Sequence, residues 1–132
     1  MRPVYQDAFG ELGNCFSACL ASVFECELAD VPNFFVTAGN DADAWWAAVR
    51  DWLAPRGFGV MSLSLSDDAL LAKFAGFFIV SGQTSSGTHH ATVWCGGKLV
   101  HDPMPGNSLD IEPNSVDLIY PLDPSALRLC DG

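Results

Sequence analysis

The sequence predicts an α+β domain in which N-terminal helices pack on a mostly antiparallel sheet. Helical apolar spacing is concentrated before Leu53, with one short stretch following near residue 70. Short apolar runs, some alternating with polar residues, dominate the second half, as strands require. That half also contains a hairpin signature, two strand-like runs around Gly96-Gly97. Helices first and strands later is an α+β order. The chain has 132 residues, 49% of them hydrophobic, with nine Phe and four Trp, so residues 1–132 are read as one domain able to bury its own core.

Residues 1–13 read as an irregular lead-in containing Gly10 and Gly13. From Asn14 or Cys15 to about Phe24, Phe16, Cys19, Leu20 and Val23 fall at i, i+3, i+4 and i+7, which predicts a helix with one buried stripe. ELADVPNF reads as a turn broken by Pro32. A second helix is expected from Asp41 to about Leu53, capped by Asp41 or Asp43, with Trp45, Val49, Trp52 and Leu53 inward. Trp46 falls off that face and is the one candidate for a cleft wall or a partner surface. APRG ends the helix, with Gly57 expected in the left-handed region.

FGVMSLSLS alternates as a half-buried strand does, and SDDALLAKF reads as a short helix capped by Ser66. GFFIVSG is apolar and bulky throughout, which suits a central strand. SGQTSSGT reads as a polar loop, HATVWC and KLVHD as the hairpin strands, PMPGNSLDIEPNS as a loop and VDLIYPL as the last strand.

Six Lys+Arg stand against sixteen Asp+Glu, a formal net charge of −10. Nucleic acids and anionic membranes call for a basic patch, so neither is expected as a partner. The acidity serves solubility or steers a basic partner. The N-terminus MRPVYQDAFG shows no secretory signal, and FAGFFIV is too short to span a bilayer. Five cysteines is an odd count without a pairing frame, so reduced thiols and a cytoplasmic location are expected.

A cysteine hydrolase needs a thiol near a helix N-terminus, a base beside it and a group that orients the base. Cys15 falls in the first turn of the first helix; Cys19 falls one turn later on the buried stripe. The bases are few. His89 and His90 open one hairpin strand, and His101 closes the other just before Asp102-Pro103. Counted outward from Gly96-Gly97 without a bulge, Cys95 faces Lys98, Val93 faces Val100, Ala91 faces Asp102 and His90 faces Pro103. His90 and Asp102 are then neighbours at the open end of the hairpin, with adjacent registers left open. His89 points the other way from His90. His89 and His101 are read as surface or supporting groups, with replacement of His90 by one of them left open.

The stretches GNCFSACLAS, HHATVW and VHDPMPG resemble, in order and spacing, a papain-like cysteine peptidase of the compact kind seen in bacteriocin double-glycine leader peptidases. The resemblance covers most of the chain. It implies a papain-like fold with Cys15 as nucleophile, His90 as general base and acid, and Asp102 as its orienter. It also implies a Gln a few residues ahead of the Cys to complete the oxyanion hole. Gln6 lies nine residues upstream, so DAFGELG must loop back for it to serve. Asn14 is the fallback donor, although a helix cap is its more ordinary role. Phe16 stands where many relatives carry Gly.

Cys15, Cys19 and Cys26 with a histidine would be enough ligands for zinc, but no Cys-x-x-Cys occurs, so no metal or other cofactor is expected. The implied substrate is a peptide or protein, cut or transferred at a peptide, isopeptide or other amide bond, with a protein partner possible at the cleft. A toxin-like effector amidase differs from this mainly in its target. The alternative class is a non-catalytic binding module, an inhibitor or adaptor, on the same fold.

Overall fold

The computed structural model describes residues 1–63, 68–106 and 110–126. It is an α+β arrangement of helices on a five-stranded antiparallel sheet. Helix α1 (Cys15–Phe24) opens where Asn14 leaves the lead-in and closes at Glu25, whose φ of 56° is left-handed. Every residue from Cys15 to Val23 is buried, so the expected single stripe is instead a helix enclosed on all sides. Its small Ser, Ala and Cys residues let neighbours approach from several directions. The Ser22 hydroxyl donates to the Ala18 carbonyl (2.8 Å) and accepts from the Val4 amide (2.9 Å), which ties the lead-in along the helix.

Residues expected to form only a turn also contain helix α2 (Phe34–Ala38). Pro32 ends the preceding segment, but Asn33 then caps a new helix by accepting from the amides of Phe35 and Val36. Helix α3 (Ala42–Leu53) is capped by Asp41, which accepts from the Asp43 and Ala44 amides. Val49, Trp52 and Leu53 form its buried face, with Trp45 only half-buried. Gly57 follows at φ 84°, left-handed as expected.

The strands are β1 (Phe58–Leu63), β2 (Phe77–Thr84), β3 (His89–Cys95), β4 (Lys98–His101) and β5 (Ile111–Pro121), in the sheet order β1-β5-β2-β3-β4. Strand β2 is central and buried from Phe77 to Gly82. One face of the sheet carries Ile79, Ala91, Val93 and Ile119 against α1 and α3. The other face carries Phe78, Val80 and Val116 with Leu71, from helix α4 (Asp68–Lys73). The Ser66 cap and the end of the FGVMSLSLS strand lie outside the described residues.

Two expectations change in the second half. Residues 111–115, expected as loop, belong to β5, and β2 continues to Thr84, through the first half of the expected polar loop. The hairpin has its two-residue turn, with Gly96 and Gly97 both at positive φ (61° and 79°). Its register is not the regular one. Cys95 pairs with Lys98 and Trp94 with Leu99, but Val93 pairs with His101, so Val100 is an extra, bulged residue.

Cys15, Cys19 and Cys26 are free thiols, whereas Cys95 is disulfide-bonded, which corrects the expectation of an entirely reduced chain. Among the described residues, no single helix is long and apolar enough to cross a membrane.

Candidate active site

The hairpin bulge positions the first pair of functional groups. Residues directly opposite one another in an antiparallel pair share a face, so the regular count would have put Asp102 on the face of Ala91, away from His90. The bulge at Val100 advances the register by one. Continued past His101, it sets Asp102 opposite Thr92, two residues from His90 and on its face. His90 Nε2 lies 2.7 Å from Asp102 Oδ1, and both side chains are 3% exposed. The same carboxylate oxygen accepts from the Met104 amide (2.9 Å), so the turn after Pro103 holds the acid in place.

With Nε2 on Asp102, His90 lines one cavity together with Cys15, whose thiol acts on the ring's protonation alongside Asp102. Burial opposes the imidazolium, but the bonds to Asp102 and Cys15 and the charges on both outweigh it, and the His90 pKa rises to about 9. Cys15 itself is the first residue of α1 and 6% exposed. Its amide stands at the helix start, where N–H groups have no intrahelical acceptor. Cys19 is fully buried, and burial, first, then the charges of Cys15 and Asp102 push its thiol well up, as suits an inert core residue.

The lead-in brings Gln6 back to this point. The Gln6 amide donates to the Pro103 carbonyl (2.9 Å), and His101 Nε2 bonds the Val4 carbonyl (2.8 Å), so residues 4–6 are clamped to the end of the hairpin. Asn14 closes the loop from the other side. Its Oδ1 accepts from the amides of Asp7 (3.1 Å) and Ala8 (3.0 Å), and its Nδ2 donates to Asp7 (2.8 Å). Asn14 therefore makes no side-chain cap, and its side chain closes the lead-in loop instead. Gln6 is 5% exposed and lines one cavity together with Cys15 and His90. Its Nε2 donates to the Ala8 carbonyl (3.0 Å), which sets the amide's orientation and leaves a second hydrogen. Its Oε1 is buried without a partner among the described residues.

A second cavity, of about 310 Å³, opens on the other side of Cys15. Trp45 and Trp46 wall it, and the sheet residues Ser81, Ala91, Ser115 and Asp117 form its floor. Trp46, expected off the inner face of α3, is one of the residues that line this cavity. His89 lines both cavities, pointing away from the Asp102 side as alternation requires. Burial lowers its pKa, and a bond to Asn114, the extra residue where β5 slips against β2, only partly offsets this. His101 is buried against Tyr5 and the lead-in, a supporting position.

Asp117 was not singled out from sequence. It is 4% exposed, and burial raises its pKa to about 6 despite a hydrogen bond from Ser62 (2.7 Å). The available signal was phase: Asp117 shares its strand face with the buried Ile119, which is an unusual place for a carboxylate. Among the described residues, no group of three or more His, Cys, Asp or Glu is placed to hold a metal ion. Compared with known proteins, the chain matches no family model and no curated sequence.

Proposed function

We propose that the protein is a papain-like thiol hydrolase or acyltransferase acting on a peptide, isopeptide or other amide bond. The observation that carries this reading is the buried His90–Asp102 pair, 2.7 Å apart, set against Cys15 at the start of α1. In this reading Cys15 Sγ attacks the carbonyl carbon as His90 holds the imidazolium beside the thiolate. The Cys15 amide and the second Gln6 Nε2 hydrogen stabilise the oxyanion. His90 then protonates the leaving amine, a thioester forms on Cys15, and water or another acceptor activated by His90 releases the acyl group. Asp102 keeps the ring oriented throughout.

Intact-protein mass spectrometry with iodoacetamide tests the reading. Cys15 should alkylate ahead of Cys19 and Cys26, and His90→Ala should slow Cys15 alone. Equal rates at Cys15 with and without His90 would refute it. A pooled peptide digest, analysed for new termini that vanish with Cys15→Ala, would establish turnover.

A second reading, a non-catalytic binding module, draws on the low exposure of Cys15, 6%. It requires that Cys15→Ala retain the protein's full biological effect.

A further inference from the structure

The cavity beside Cys15 has an unusual construction. Its walls are aromatic, with Trp45 and Trp46 in edge contact at 4.7 Å between ring centroids. Among the described residues its floor carries one carboxylate, Asp117, whose Oδ1 accepts a hydrogen bond from Ser62. Its rim carries a second carboxylate, Asp41, already engaged in capping α3. Among the described residues no Lys or Arg lines it, and the histidine there, His89, is held toward its neutral form by burial. A buried carboxylate with no cation beside it is costly to a fold, and uncompensated costs of this kind concentrate at binding sites. Aromatic walls with a carboxylate behind them suit a cation, which the ring faces attract and the acid pairs with. The volume, about 310 Å³, lies at the small end of ligand pockets and admits one long side chain. The formal charge of −10 favours the approach of such a substrate.

We propose that this cavity, floored by Asp117 and walled by Trp45 and Trp46, takes a basic side chain, an amine or guanidinium, carried by the substrate close to the carbonyl that Cys15 attacks. The substrate class is then a lysine- or arginine-bearing peptide or protein. The pocket part of this inference stands on the cavity alone; its placement next to the reacting carbonyl rests on the thiol hydrolase reading.

Two measurements separate the parts. In the Cys15→Ala protein, the indole N–H signals of Trp45 and Trp46 are followed by NMR during titration with glycyl-lysine amide and with its norleucine counterpart. The lysine compound should bind at least about tenfold more tightly, a preference that Asp117→Asn abolishes. In the protein with Cys15 intact, peptidyl chloromethyl ketones bearing lysine or norleucine are compared by the rate of Cys15 alkylation. The lysine reagent should react at least about tenfold faster, and Asp117→Asn should collapse that lysine-over-norleucine ratio, each rate being taken relative to the same protein's iodoacetamide rate. Equal binding of lysine and norleucine by the Cys15→Ala protein overturns the pocket proposal, and this comparison needs no variant at Asp117. A preference that survives Asp117→Asn overturns the role of the carboxylate. Lysine-selective binding without His90-dependent alkylation supports the pocket and overturns the enzyme reading instead.

Discussion

The fold raises the pKa of both His90 and Asp117, and the two shifts act on stability with opposite signs. The His90 pKa rises to about 9 against an ordinary 6.5, so the folded state holds a proton that the unfolded chain releases earlier. The stabilisation is complete below about pH 6.5 and is lost as pH rises through about 9. Urea unfolding measured across that interval should show stability falling with pH, and His90→Gln should flatten the fall. Asp102→Ala strands a buried imidazolium. It should cost about 3 kcal/mol in the same measurement at neutral pH, and it should slow His90-dependent chemistry at Cys15 by about 10²-fold or more. Asp117, raised to about 6, works against the fold once ionised, because the native site resists the charge. Asp117→Asn should match the wild type near pH 4 and exceed its stability at pH values above about 6, as read by thermal melting. Asp41, His89 and Cys15 line the same cavity, so the variant also reports on their fields.

Strand irregularities decide the site at the level of elements. Besides the bulge at Val100 in β4, there is one in β5, where Ser81 pairs with Ser115 and Gly82 with Pro113, leaving Asn114 out of the ladder, from where it acts on the protonation of His89. Gly82 sits opposite His90 in β2–β3 and directly under the β5 slip. A Cβ there would overlap the Glu112 carbonyl, so no side chain fits without parting two central strands. Gly82→Ala should lose about 3 kcal/mol of stability in denaturant unfolding, together with the His90-dependent reactivity of Cys15. Much of the element pattern was legible: α1, α3, its Asp41 cap, the Gly96-Gly97 turn and the central strand all follow from period and turn chemistry. Helix α2 was not, because five residues make too short a pattern to outweigh Pro32 and the polar residues around it. The N-terminal half of β5 was not legible either, since Pro113 and Asn114 read as loop and are tolerated only at the bulge.

Taken as a whole molecule, the protein is an acidic body whose cleft passes over Cys15 between a polar cavity and an aromatic one with an acid floor. A field from sixteen acids against six bases should accelerate cationic reagents before any contact forms. The alkylation rate with the lysine chloromethyl ketone should therefore fall several-fold from low salt to about 0.5 M NaCl, while the norleucine reagent stays constant. A salt-independent lysine rate would assign the preference to the pocket alone.

By itself the sequence determined the α+β class, the helix that starts at Cys15 and the hairpin that carries His90 and Asp102, because period, capping and turn residues are local. It also named Gln6, but could not bring it to the site; that took contacts spanning the chain, from Val4 to His101 and from Gln6 to Pro103. The tertiary structure likewise decided which face Asp102 occupies. Side chains alternate with a period of two, so one bulged residue, Val100, moves the carboxylate from the wrong side of the strand to a place 2.7 Å from His90. It decided Asp117 for the same reason: a carboxylate in an alternating strand becomes a cavity floor only when another element, here α3 with its paired tryptophans, closes over that face.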